Sequence, residues 1–339
     1  MMKDSVVHFF VLSGEHEQMA EAEVEELLVL YNMKPKKISK KNRILVIETN
    51  KMIKSEIIER LALTKYVGKV IEIIEDNKEY EKIIEKSKKI ELKCDKFAVK
   101  CHKINNSNDV PIERINREIG AIIGEGKTVD LNKPEIEVIV LISDKIYLGV
   151  SKTKTGYVRC LKHHVNYRPE FYPISLNPRM ARAMINVAGI KNNEILLDPF
   201  CGTGGILIEG ADMNLNIIGQ DVDKKMVDAS LKNLAHFGLE GNIIEGDISK
   251  IKKLKKIDAI VTDPPYGQSS SLRGESRNEL MKRTMRNIRE KIEIGKKLVI
   301  VVPEKDMISN NGFEMKYHFP WYSHKNLTRN VMVLERKNQ

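Results

Sequence analysis

Leu197-Asp198-Pro199-Phe200-Cys201-Gly202-Thr203-Gly204-Gly205 follows the short apolar run Ile195-Leu196-Leu197 and leads directly into an apolar segment over residues 206–211. Strand, glycine-rich turn and helix in that order form a ligand cradle. Glycines let the backbone turn sharply and approach a ligand, and a helix start offers free N–H groups. The spacing is neither the GxxxxGK[ST] of a nucleotide phosphate loop nor the GxGxxG of a dinucleotide site. Working outward, the pattern predicts a helix over 179–188 and strands at 195–197, 217–219, 242–244, 257–261 and 297–302, separated by helical segments. Such alternation predicts an α/β fold with a mostly parallel sheet, whose ligands sit outside the carboxyl ends of the strands.

Three acids stand at those strand ends. Ile218-Gly219-Gln220-Asp221-Val222-Asp223 places Asp221 where a carboxylate can accept both ribose hydroxyls of a nucleoside ligand. Glu245-Gly246-Asp247-Ile248 follows the next strand, with Asp247 a candidate acceptor for an adenine amino group and Ile248 a candidate cover for the ring. The third segment is Thr262-Asp263-Pro264-Pro265-Tyr266-Gly267. Consecutive prolines fix φ and remove two N–H donors, so the loop is a stiff platform of acceptors. An exocyclic amine on a nucleobase is a poor nucleophile because its lone pair is delocalised into the ring. Acceptors on both N–H bonds, here Asp263 and the carbonyl of Pro264, favour the pyramidal geometry that frees it. Tyr266 offers a flat face on which a base taken out of its stack can rest.

The glycine loop and its two following acids resemble the class I (Rossmann-like) S-adenosylmethionine-dependent methyltransferases over residues 172–339. The resemblance implies S-adenosylmethionine as cofactor. It places Asp198, Phe200, Gly202, Thr203 and Gly204 beside the methionine part, and Asp221, Val222, Asp247 and Ile248 beside the nucleoside. Pro173-Ile174-Ser175-Leu176-Asn177-Pro178 is similar to the motif that closes over the methionine end, which adds Pro173. Asp263 to Tyr266 resembles the (D/N)PPY motif of enzymes that methylate adenine N6, cytosine N4, guanine N2 or a protein glutamine amide. The motif leaves the substrate open.

The first half narrows it. Strands are expected at 6–12, 43–48 and 66–74 and helices at 15–30 and 55–63, a small α+β, ferredoxin-like unit over 1–70. A second unit over 71–151 has a helix at 80–89, a strand at 97–100, a helix at 111–123 and a hairpin of 136–142 with 145–151. Phe97-Ala98-Val99-Lys100, the stretch Arg114-Ile115-Asn116-Arg117-Glu118-Ile119-Gly120, and Val129 to Ile136 resemble the THUMP domain, a tRNA-binding module. Lys100, Lys103, Arg114 and Arg117 are its candidate phosphate contacts. Residues 152–171 read as an interdomain linker carrying Lys152, Lys154, Arg159, Lys162 and Arg168, either a solvated loop or a strap against phosphates. The whole chain resembles the archaeal tRNA guanosine-10 N2-methyltransferases. Trp321-Tyr322-Ser323-His324-Lys325-Asn326-Leu327-Thr328-Arg329 is similar to their HRSLTR-like ending, with Lys325 and Asn326 where Arg and Ser are usual. A sister family that methylates guanosine 6 more often carries Asn before Pro-Pro-Tyr, so Asp263 favours position 10. A DNA amino-methyltransferase, or a tRNA-binding protein with a vestigial cofactor fold, are the other readings.

Composition agrees. In 339 residues, 57 Lys and Arg against 47 Asp and Glu give a net charge of +10, which favours a polyanionic partner, nucleic acid or an anionic membrane surface. No apolar stretch approaches the ~20 residues that span a bilayer, so a cytoplasmic protein without membrane contact is expected. Cys94, Cys101, Cys160 and Cys201 form no CxxC pair, so no disulfide framework and no metal is expected. A monomer is expected, with an accessory subunit left open.

Overall fold

The computed structural model describes residues 5–104, 110–172, 175–253, 256–265, 276–304, 312–324 and 327–338. Along the chain run β1 (Val6–Leu12), α1 (Glu17–Leu30), β2 (Lys36–Lys41), β3 (Ile44–Thr49), α2 (Ser55–Arg60), β4 (Thr64–Ile74), α3 (Tyr80–Ser87), β5 (Lys96–Lys103), α4 (Ile112–Ile123), β6 (Thr128–Val129), β7 (Ile136–Ile142) and β8 (Ile146–Ser151). There follow α5 (Gly156–Arg159), α6 (Pro178–Val187), β9 (Ile195–Asp198), α7 (Gly205–Asp212), β10 (Asn216–Asp221), α8 (Lys224–His236), β11 (Asn242–Glu245), β12 (Ala259–Thr262), α9 (Arg277–Lys291), β13 (Lys297–Val302), β14 (Phe313–His324) and β15 (Leu327–Arg336). They group into two compact units, one of residues 1–17, 31–59 and 64–156, the other of 18–30, 60–63 and 157–339.

The first unit is built on one eight-stranded sheet in the order β2-β3-β1-β4-β8-β7-β5-β6. β1 pairs antiparallel with both β3 and β4, and β4 continues the sheet into β8. Phe9, fully buried, lies over β4 and β8 where they carry Gly68 and Gly149; a Cβ at either glycine would run into its ring. On the other side of the sheet Ile115, Ile119 and Ile123, four apart along α4, pack on Phe97, Val99, Val138 and Val140. β2 is an element the periodicity does not predict. Lys36-Lys37-Ile38-Ser39-Lys40-Lys41 is almost wholly exposed at the sheet edge, where lysines discourage further strand pairing.

The second unit contains a seven-stranded sheet in the order β11-β10-β9-β12-β13-β15-β14. Five strands are parallel, and the β14–β15 hairpin adds an antiparallel edge through β15 against β13. From β9 the chain builds outward through β10 to β11, then returns to start again at β12 on the other side of β9. The strand order therefore reverses between β9 and β12, and a crevice opens at their carboxyl ends. Helix starts are fixed locally. The Asn177 side chain accepts the Arg179 N–H with Pro178 at the first helical position, and Ser276 with Glu279 forms a capping box on α9. Among the described residues no helix is long and apolar enough to cross a membrane.

The segment expected as a basic linker is packed inside this unit at three positions. Cys160, His163 and Arg168 are buried. His163 Nδ1 lies 2.7 Å from Glu209 Oε1, Arg182 Nε donates to Glu209 Oε2 at 2.7 Å, and Arg182 also binds Asp212. Lys162 Nζ completes the cluster, 2.8 Å from Asp212 Oδ1. Burial pushes the Asp212 carboxyl up, but Lys162 and Arg182 outweigh it and hold it well below the ordinary carboxylate range. Lost periodicity marks the segment as irregular; it does not reveal that its charges meet acids about fifty residues further on.

Candidate active site

Asp198 ends β9 and Thr262 ends β12, so both stand at the reversal point. The Thr262 hydroxyl donates to Asp198 Oδ1 at 2.7 Å, and the Phe200 N–H donates to the same oxygen at 3.2 Å. Phe200 itself packs against the apolar core. Burial pushes the Asp198 carboxyl up to about 7; those two bonds oppose the shift, and the nearby Asp263 and Asp221 charges add to it. A buried carboxyl among other acids is a site prepared for a cation.

The glycine loop is drawn tight by Cys201 N–H to the Gln220 carbonyl at 2.9 Å and Gly204 N–H to the Cys201 carbonyl at 2.8 Å. Gly202 has φ +51° and Gly204 φ +84°, both in the left-handed region. A Cβ on Gly202 would project into open space, whereas one on Gly204 would come within 2.5 Å of Ser230 Oγ. The space above Gly202 is the room a ligand needs. Thr203 is buried, and its carbonyl accepts the Asn233 side-chain amide at 2.9 Å.

Asp221 at the end of β10 is turned back onto this loop: Oδ2 accepts the Gly202 N–H and Oδ1 the Asp223 N–H, each at 2.9 Å. Burial raises its carboxyl, opposed by those same N–H groups. Val222 beside it is half-buried. After β11, Asp247 accepts the Ser249 N–H at 3.0 Å and Arg283 Nη1 at 2.5 Å, and Gln220 Nε2 binds its backbone carbonyl at 2.5 Å. Burial pushes Asp247 up, but the Ser249 N–H and Arg283 hold it below its ordinary value. Ile248 is 2% exposed and packs with Ile251, Met281 and Ile288 in the apolar core directly after Asp247.

Asp263 follows Thr262 directly. Arg329 on β15 holds it, with Nη1 3.2 Å from Asp263 Oδ2, and the Arg329 guanidinium carbon lies 5.3 Å from the Trp321 ring centroid. Pro264 is buried and Pro265 half-buried. Tyr266 and Pro173 lie outside the described residues. Asp198, Gly202, Asp221 and Asp263 are therefore joined through one run of hydrogen bonds and chain neighbours. Thr262, Arg329, Arg283, Gln220 and Asn233 hold these groups and were not among the sequence candidates. Gln220 and Thr262 lie inside the quoted motif segments and Arg329 in the family-like tail, whereas nothing in the sequence singles out Arg283 or Asn233.

In the first unit Lys100 on β5 is paired with Glu137 at 2.5 Å. Arg114 on α4 is paired with Glu118 at 2.6 Å and lies 3.6 Å from Glu81. Lys103 and Arg117 are exposed.

Residues 165–319 match the RMKL-like methyltransferase domain family. A DNA methylase family matches residues 9–232 and so ends before Asp263. The tRNA (guanine(10)-N2)-dimethyltransferase of Methanothermobacter thermautotrophicus is 33% identical over 96% of this chain and 98% of its own. TrmN from Thermus thermophilus shares the fold with a TM-score of 0.59 at 18% identity, over 97% of this chain and 99% of that one. SMU.472, solved in complex with SAH, does so with a TM-score of 0.52 at 18% identity over the full length of both.

Proposed function

The chain belongs to the tRNA (guanine(10)-N2)-dimethyltransferase family, and we propose that it transfers methyl groups from S-adenosylmethionine to the exocyclic N2 of guanosine 10 in tRNA. The observation that carries this reading is the Asp263 carboxylate, fixed by Arg329 at the strand-order reversal and joined through Thr262 to the buried Asp198. When bound, the cofactor supplies an electrophilic methyl group. Asp198, the glycine loop and Asp221 hold it by its methionine and ribose parts, while Asp263 and the Pro264 carbonyl accept the two N–H bonds of the guanine amine. Asp263 is then in place to take the proton the nitrogen gives up. Most of the acceleration comes from holding nitrogen and methyl in line, and no metal is needed.

The residues resembling a THUMP module would hold the tRNA. Arg117 is exposed, while Lys100 and Arg114 must exchange a carboxylate partner for phosphate. A DNA amino-methyltransferase would account for the Asp263 loop but leaves the first 150 residues without a purpose, and the DNA methylase family match ends before that loop. Incubation with labelled cofactor and an unmodified tRNA transcript, followed by mapping of the labelled nucleotide, tests the proposal; label confined to guanosine 10 supports it, and label in duplex DNA instead refutes it.

A pH dependence follows from Asp198. Its folded pKa of about 7 lies above the ordinary 3.8, so the unfolded chain loses this proton first and the ligand-free protein loses stability as pH rises from about 4 towards 7. A cationic cofactor binds the ionised form better. Calorimetry should therefore show affinity for S-adenosylmethionine falling as pH drops below about 7, with a slope approaching a decade per pH unit, and Asp198→Asn should flatten the profile. A profile unchanged by that substitution would place the titrating group elsewhere.

A further inference from the structure

We propose that Arg168 receives the α-carboxylate of the cofactor's amino-acid part, an inference that rests on the cofactor assignment above. Arg168 is 5% exposed, and its Nε donates to the His163 carbonyl at 2.9 Å. Its two terminal nitrogens, Nη1 and Nη2, are buried and have no hydrogen-bond partner among the described residues. A buried guanidinium with four unused N–H bonds is costly unless something anionic meets it. Glu209, the acid whose charge it feels, is already engaged by Arg182 and His163.

The guanidinium lies against the cofactor loop. A Cβ built on Gly205, the first residue of α7, would be 3.2 Å from Arg168 Nη1. Helix N-termini carry partial positive charge, so this end of α7 adds to the demand for an anion. The chain after Arg168 continues over the same loop: the Glu170 N–H donates to Asn233, which holds the Thr203 carbonyl, and Ser175 Oγ lies 3.5 Å from Thr203 Oγ1. The loop is thus polarised, with Asp198 at its strand end, Asp221 on Gly202 and Arg168 at its helix end. A methionine moiety has the matching pattern, cationic at nitrogen and sulfur and anionic at carboxylate. An RNA phosphate would need the same guanidinium in an open groove; a small carboxylate entering with the cofactor does not.

Calorimetry with S-adenosylhomocysteine and with 5′-deoxy-5′-(3-aminopropylthio)adenosine, which keeps the amine and lacks the carboxylate, separates the outcomes. Wild type should prefer S-adenosylhomocysteine by roughly 10–100-fold, the range of bidentate charged hydrogen bonds. Arg168→Met should erase that preference by weakening only the carboxylated ligand, with an unchanged or raised ligand-free Tm because an uncompensated buried charge has been removed. Arg168→Lys, which keeps the charge without the fork, should retain part of the preference and serves should the Met variant not fold. Equal weakening of both ligands, or an undiminished preference in the variants, overturns the inference. Wild type binding neither ligand overturns the cofactor assignment itself.

Discussion

Asp263→Ala lowers the rate of methyl transfer in single turnover by on the order of 10²–10³-fold, the loss typical of removing one preorganised polar contact at a reacting group. The methyl side chain offers the guanine amine no acceptor and cannot take the proton, whereas Asp263→Asn, which keeps one acceptor oxygen as in the (D/N)PPY motif, should lose less. Affinity for S-adenosylhomocysteine, measured by calorimetry, should stay within about twofold, since the cofactor is held by the loop and by Asp198 and Asp221. The alanine substitution also removes the ion pair to the buried Arg329. A melting curve run alongside separates local loss of chemistry from loss of fold. A variant that folds, binds cofactor and transfers at the wild-type rate would remove Asp263 from the mechanism.

The second large effect is on stability. Arg182 and Glu209 are 2% and 0% exposed, and they tie the segment ending at Arg168 to α6 and α7. Arg182→Met leaves Glu209 and Asp212 in the interior without their shared guanidinium, a change that costs about 3–5 kcal/mol in comparable buried pairs. In a unit of this size that corresponds to a Tm lower by roughly 6–20 °C. The wild-type cluster also has a pH signature. Because Asp212 is held below its ordinary value, its contribution is complete above pH about 4 and is lost as the pH falls further; Asp212→Asn should make the acid side of the melting-temperature profile shallower. A Tm for Arg182→Met within a degree or two of wild type would show that the cluster contributes nothing net.

The sequence makes the central part of this site legible for a physical reason. Strands buried on both faces of a parallel sheet are largely apolar runs, so 195–197, 217–219 and 257–261 stand out, and the one or two residues after each run are where a ligand meets the sheet. Asp198, Asp221 and Asp263 stand at those places. The pairings that tune them are not legible: Thr262 meets Asp198 across 64 residues and Arg329 meets Asp263 across 66. No periodicity encodes such pairs. The β14–β15 hairpin shows an intermediate case. Phe313, Met315, Tyr317, Phe319 and Trp321 alternate with polar residues and Pro320 at strand period, a pattern open to reading, while the tail's resemblance to a family ending says nothing about pairing. Ile248 shows the ambiguity of an apolar residue at a strand end, which can serve the core, a ligand or both; it packs with Ile251, Met281 and Ile288.

The most direct test replaces the reacting atom itself. A tRNA transcript with guanosine at position 10 and one with inosine there differ by the exocyclic amine. With labelled S-adenosylmethionine, the guanosine transcript should acquire N2-methylated and N2,N2-dimethylated guanosine at position 10, and the inosine transcript should bind with similar affinity yet take up no label. Equal labelling of the two transcripts, or label on a ring nitrogen, would contradict the account.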